Sequence, residues 1–237
     1  MSAPKTKITV GISSCLLGES VRYDGGHREN LLIKNELGKV FNFIPFCPEV
    51  AIGLGVPRNT LQLVNRGNNI RCLGVEDENI DVTDPLIRYA NTQKGHHAQL
   101  SGYIFKKGSP SCGIKNVKTF NIGNKDPEAF IATGIGIYAE QVKLNNPLLP
   151  VTDENDLSDA LLRESFIQRV IFLHNWQQLL SESLTINKLR IFHTQHVLTH
   201  MNQDNSESLN KLLEGLDMNN IEEISTKYIL SAMKILS

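Results

Sequence analysis

The sequence predicts an α/β fold, a mainly parallel sheet with flanking helices, followed by a small all-helical C-terminal region. Three observations carry that expectation. Short apolar runs at residues 8–12, Phe41–Phe46 and 103–105 each end in a Gly/Pro/Ser-rich turn, as strands do when they open into connections. Up to about residue 142, strand-like and helix-like segments alternate with frequent Gly and Pro between them. From Leu157 onward the apolar period becomes helical and Gly grows scarce.

Taken in order, residues 8–12 read as a first strand running into Ser13-Ser14-Cys15. Asp24-Gly25-Gly26, after Arg22-Tyr23, reads as a tight turn. Phe41–Phe46 reads as a second strand leading to Cys47-Pro48-Glu49. Between residues 61 and 75, Gly67-Asn68-Asn69 separates two extended runs and predicts a hairpin. Asp81-Val82-Thr83-Asp84-Pro85 predicts a helix start, with Thr83 or Asp84 as cap and Pro85 in the first turn. Residues 103–105 form the third strand, before Lys107-Gly108-Ser109-Pro110-Ser111-Cys112-Gly113. Asp126-Pro127-Glu128 predicts a further helix through Phe130, Ile131 and Ile137 to about Val142. The stretch 147–156 reads as a boundary between an α/β domain over 1–150 and a helical extension over 151–237. In the extension Leu161, Leu162, Phe166, Val170, Leu173 and Trp176 make an apolar stripe, and amphipathic stretches cover about 188–201, 206–215 and 220–236.

Composition narrows the classes. With 237 residues, 41% hydrophobic and 21% charged, the chain can bury a proper core. No run of about 18 apolar residues exists to cross a membrane, and Met1-Ser2-Ala3-Pro4-Lys5 lacks a signal peptide's apolar segment, so a cytoplasmic protein is expected. In a reducing compartment four cysteines point to metal binding or catalysis rather than disulfides. A formal net charge of -1 gives no bulk attraction for nucleic acid and leaves only a local patch for RNA.

Three of the cysteines, Cys15, Cys47 and Cys112, sit in the turns after the three strands. If those strands are parallel neighbours, the turns share one sheet edge, where open α/β sheets bind ligands. The thiols can be small buried hydrophobes, an open three-thiolate zinc site, or ligands of an iron–sulfur cluster. No Cys-x-x-Cys pair of the closed zinc type exists. A four-iron cube with three ligands leaves one iron free to act as a Lewis acid. Cys72, inside Ile70-Arg71-Cys72-Leu73, reads as packing. Glu49, two positions after Cys47, reads either as a group that positions or deprotonates a water or as a helix-capping carboxylate. Ser109 and Ser111 read as hydrogen-bond donors to a developing anion or as turn formers. Arg22 and Asp24 are candidate substrate contacts.

Ser14-Cys15-Leu16-Leu17-Gly18 with Arg22-Tyr23-Asp24-Gly25, Cys47-Pro48-Glu49 with Gly53-Leu54-Gly55-Val56-Pro57-Arg58, and Ser109-Pro110-Ser111-Cys112-Gly113 together resemble the thiouracil desulfidase (TudS) family over about residues 6–145. The resemblance implies a non-redox removal of sulfur from thiolated uracil on a [4Fe-4S] cluster, giving a uracil-type base and hydrogen sulfide. It implies Cys15, Cys47 and Cys112 as ligands and Glu49 and Ser109 as catalytic residues. Ser14, Arg22, Asp24, Arg58 and Ser111 are the expected substrate contacts.

Leu157-Ser158-Asp159, Arg163-Glu164, Trp176-Gln177-Gln178-Leu179 and residues 189–192 with His193, His196 and Leu198 resemble the junction and first helices of a YbgA-like domain. That module is longer than this tail, so a partial domain is expected. Fusions of this kind imply 4-thiouridine in tRNA as substrate; the free base and the nucleotide fit the same crevice. Lys106, Lys107, Lys115 and Lys118, with Arg58 and Arg66, are the expected RNA-facing rim. His193, His196 and His200 lie at helical spacing and read as amphipathic-face residues. An iron–sulfur or zinc sensor without turnover, and an interaction scaffold whose cysteines bind nothing, are the readings from other classes.

Overall fold

A computed structural model describes residues 7–67, 69–123, 126, 128–197, 203–217 and 219–236. The chain forms two compact units, Met1–Arg163 and Glu164–Ser237. In the first, β1 (Ile8–Ser13) leads through a 3₁₀ turn at Ser14–Leu17 to α1 (Leu31–Asn35), β2 (Phe41–Phe46) and α2 (Pro48–Ala51). The hairpin β3 (Leu61–Arg66) and β4 (Asn69–Gly74) follows, then α3 (Thr83–Thr92), α4 (Lys94–His97) and β5 (Gly102–Phe105). The unit continues with β6 (Val117–Asn121), β7 (Ala132–Gly134), α5 (Ile137–Asn145) and β8 (Val151–Asp153).

Four strands make a wholly parallel sheet in the order β2-β1-β5-β8. Val10, Ile12, Ile104 and Phe105 of its central strands are completely buried, as strands covered on both faces require. The chain steps outward from β1 to β2, then returns to β5 on the other side of β1. Strand order therefore reverses between β1 and β5, and such a reversal opens a crevice at the carboxyl ends of the strands. Ser13 lies opposite Phe46, and Ile12 opposite Ile104, so the three turns leave from a common edge. The expected α/β architecture is thus present. A second, mixed sheet in the order β4-β3-β6-β7 joins it.

Sequence and structure differ at several elements. The helix expected to open at Asp126-Pro127-Glu128 does not form over Phe130 and Ile131: Ile131 N donates to Thr119 O, and Ala132–Gly134 pairs antiparallel with β6. Pro127 lies outside the described residues. The helix starts only at Ile137, because Gly134 and Gly136 disfavour helix while a strand edge is there to be paired. At α3 the first helical residue is Thr83, whose hydroxyl accepts from Cys72 N and ties the helix to β4 instead of capping it. The hairpin is present, with Arg66 opposite Asn69 and Gly67 at φ +71°; Asn68 of its expected turn lies outside the described residues. The stretch read as a domain boundary contains β8, an integral strand of the parallel sheet.

The second unit takes in most of α6 (Ala160–Ser181), then α7 (Ile186–His196), α8 (Gln203–Glu214) and α9 (Ile221–Ile235). Phe166, Val170, Leu173 and Trp176 of the expected stripe are buried, whereas Leu161 and Leu162 are exposed. Trp176 packs on Phe192 and Tyr228 at centroid distances of 5.4 and 5.7 Å. His193 is a core residue, its Nε2 2.7 Å from Asn210 Oδ1 and its Nδ1 3.2 Å from the Tyr228 hydroxyl. His196 packs against Phe192; Leu198 and His200 lie outside the described residues. Among the described residues no helix is long and apolar enough to cross a membrane.

Candidate active site

Cys15, Cys47 and Cys112 line one cavity of about 420 Å³ at the carboxyl edge of the parallel sheet. Each arrives by its own device. Cys15 sits in the 3₁₀ turn directly after β1. Cys47 precedes α2, with Pro48 in that helix's first turn. Cys112 lies in a turn held from behind: Ile137 N donates to Pro110 O, Ala139 N to Ser111 O, and Gly136 N to Gly113 O. Gly136 is required there, since a Cβ would come within 2.6 to 2.9 Å of the backbone of Ser111 and Cys112.

All three thiols are free of disulfides. Cys15 and Cys112 are 7% and 6% exposed, and burial raises the pKa of all three. Cys15 is pushed up to about 11 against the pull of Lys106 and Arg22. Cys112 is raised too, by burial and by Glu49 and Cys47, with a Ser13 hydrogen bond opposing. Without a metal these are neutral thiols; a bound metal holds such groups as thiolates. Among the described residues no three His, Cys, Asp or Glu side chains meet as ligands of a single ion. A single zinc would draw its sulfurs to about 2.3 Å. Ligands of a four-iron cluster each bind a different iron, so three sulfurs spread around one cavity suit that larger group.

Beside the thiols, Glu49 and Arg58 form a largely buried pair. Arg58 Nη2 and Nε donate to Glu49 Oε2 at 2.5 and 2.9 Å. Ser109 Oγ lies 3.5 Å from the other oxygen, Oε1. That hydroxyl oxygen already accepts from the backbone N–H groups of Ser111 and Cys112 at 3.2 and 3.1 Å, which leaves its hydrogen to point at the carboxylate. Ser109 is thus both a turn former and a member of the site. Glu49 does not cap α2; Cys47 occupies the capping position.

The structure brings together Ser14, Cys15, Arg22, Cys47, Glu49, Arg58, Ser109 and Cys112 around the cavity. Ser111 does not line it, being fully buried behind its turn. Asp24 also stands outside the lining. Its carboxylate accepts from Gly26 N and lies 3.5 Å from Arg22 Nε, and that backbone hydrogen bond, ahead of Arg22, lowers its pKa. Of the expected cationic rim, Arg58, Lys106 and Lys107 line the cavity, whereas Arg66, Lys115 and Lys118 do not. Lys106 pairs with Glu154, Lys115 with Asp156 and Lys118 with Glu128. Sequence reasoning missed Arg28 and Tyr23 in the lining and Glu154 behind it. Glu154 follows β8, and only the sheet order brings it to the turn after β5.

A model of the family described as 2-thiouracil desulfurase matches residues 10–154. Among solved structures the chain is similar to a [4Fe-4S]-dependent thiouracil desulfidase, TudS, at 30% sequence identity over 68% of this chain and 99% of that one, with a TM-score of 0.49. No curated protein matches the chain.

Proposed function

The chain belongs to the 2-thiouracil desulfurase family, and from that premise we propose that it removes sulfur from a thiolated uracil, with Cys15, Cys47 and Cys112 holding a [4Fe-4S] cluster. The observation that carries the reading is the arrival of three free, half-buried to buried thiols in one cavity beside a carboxylate and a hydroxyl. The similar solved protein is itself [4Fe-4S]-dependent, which supports the choice of cofactor.

The overall change exchanges thiocarbonyl sulfur for water oxygen and releases hydrogen sulfide; no net electrons move. When bound, the cluster supplies a Lewis-acidic iron with affinity for sulfur. Glu49 Oε1 accepts a proton from the attacking water, and the Ser109 hydroxyl orients that water against the carboxylate. Tyr23 and Phe46 supply the aromatic surface of the lining, where a planar base would find apolar contact.

The substrate is a thiolated uracil as free base, as nucleotide, or as 4-thiouridine in tRNA. Two lining cations support a phosphate-bearing form: Arg28 and Lys107 are bonded to neutral groups, the His27 carbonyl and the Asn155 amide. Anaerobic quantitation of iron and sulfide, with the visible spectrum, tests the cofactor. Incubation with 2-thiouracil, 4-thiouracil and thiolated tRNA, read as loss of thiocarbonyl absorbance and release of sulfide, tests the reaction. The expected result is about four irons per chain and sulfide release, both abolished by Cys15→Ala. Protein that takes up no iron on anaerobic reconstitution and releases no sulfide overturns the reading.

A further inference from the structure

We propose that Arg58 is a positioning residue for Glu49 and not a substrate contact, an inference that rests on the reading of Glu49 as the base. A guanidinium carries five N–H donors. Two of Arg58's go to Glu49 Oε2. Both hydrogens of Nη1 are taken by backbone carbonyls, Val21 O and Gly55 O, each at 2.9 Å. One donor remains, too few for the forked recognition that makes arginine a ligand for substrate anions.

The two carbonyls belong to separate loops, one after the Cys15 turn and one after α2. They hold the guanidinium plane independently of the carboxylate, and the backbone joins in where Arg58 N donates to Tyr23 O. Gly53 and Gly55, at φ +90° and +72°, supply the left-handed bends that return the chain from α2 to this point. With the Arg58 and Glu49 side chains only 7% and 15% exposed, the pair has little freedom to turn. Clamping Oε2 therefore leaves Oε1 as the free oxygen, aimed at Ser109 Oγ. A lysine has one nitrogen and cannot reproduce the planar fork that reaches Glu49 Oε2 and both carbonyls at once.

The test uses the anaerobically reconstituted full chain and the variants Arg58→Lys, Arg58→Ala, Glu49→Gln and the double variant Arg58→Lys/Glu49→Gln. Expected for Arg58→Lys are unchanged iron content and visible spectrum, a kcat lowered about 10- to 100-fold, and a KM within about threefold of the parent. The double variant is expected to be no slower than Glu49→Gln alone, because the clamp has nothing left to orient. Added guanidinium ion should restore part of the rate to Arg58→Ala and none to Glu49→Gln. In cluster-free protein, the losses of denaturation midpoint from Arg58→Lys and Glu49→Gln should sum to more than the loss in the double variant. A raised KM with unchanged kcat would assign Arg58 to substrate binding and overturn the proposal. Loss of iron in both Arg58 variants overturns it equally, by assigning the residue to the cluster site. Full activity of Glu49→Gln removes the base reading itself, whatever Arg58 does.

Discussion

The two oxygens of Glu49 keep different company, and that asymmetry is the chemistry of the residue. Oε2 faces a fixed cation, Oε1 a hydroxyl whose own oxygen is pinned by two backbone N–H groups. Glu49→Gln keeps the shape and loses the base; it is expected to retain iron and to lower kcat by about 10² to 10⁴, measured by sulfide release against iron content. Ser109→Ala removes the hydroxyl and leaves the amides of Ser111 and Cys112 without their acceptor, so both turnover and iron occupancy are expected to fall. That the three cysteines, Glu49 and Ser109 face one cavity was legible because each sits in the turn that follows a strand of the parallel sheet. Arg58 was legible as a residue but not in its role, since a partner nine positions away across two glycine bends leaves no periodic trace. Arg28 left no trace either.

At the scale of elements, the third turn depends on a helix that follows it in sequence by more than twenty residues. The amino end of α5 donates three backbone hydrogen bonds to residues 110–113, and the approach is close enough to exclude a side chain at Gly136. Gly136→Ala is expected to cost about 1–3 kcal/mol of stability, the usual cost of overpacking, and to lower iron content by displacing Cys112. Chemical denaturation and iron analysis check the two effects separately. Strand starts and the C-terminal helices were readable from apolar period alone. The segment before α5 was not: Phe130 and Ile131 fit a helical spacing, yet a waiting edge of β6 and two glycines make it a strand.

For the molecule as a whole, a buried histidine ties stability to pH. His97 is fully buried, its Nε2 2.9 Å from the Tyr138 hydroxyl and its Nδ1 without a partner among the described residues. The proton of the neutral ring is assigned to Nε2, because on Nδ1 it would have no acceptor. Burial, with a smaller contribution from His96, lowers its pKa from 6.5 to about 4. A histidine depressed on folding contributes stability above its unfolded value that is lost as pH falls through the folded one. Between about pH 6.5 and 4 the unfolded chain binds the extra proton, and about 3 kcal/mol is expected to disappear over that window. The decline, followed by denaturation at a series of pH values, should flatten in His97→Gln. Composition, the apolar runs and the Gly/Pro/Ser turns were enough to determine an α/β body followed in sequence by helices, with three thiols in the turns after strands, because strand propensity and turn chemistry are local. Only the tertiary structure decided that β5 lies on the far side of β1 from β2. Strand order is chosen by which long-range pairings bury the most apolar surface, and that order gathers Cys15, Cys47, Cys112, Glu49 and Ser109 around one cavity while bringing Glu154 to Lys106.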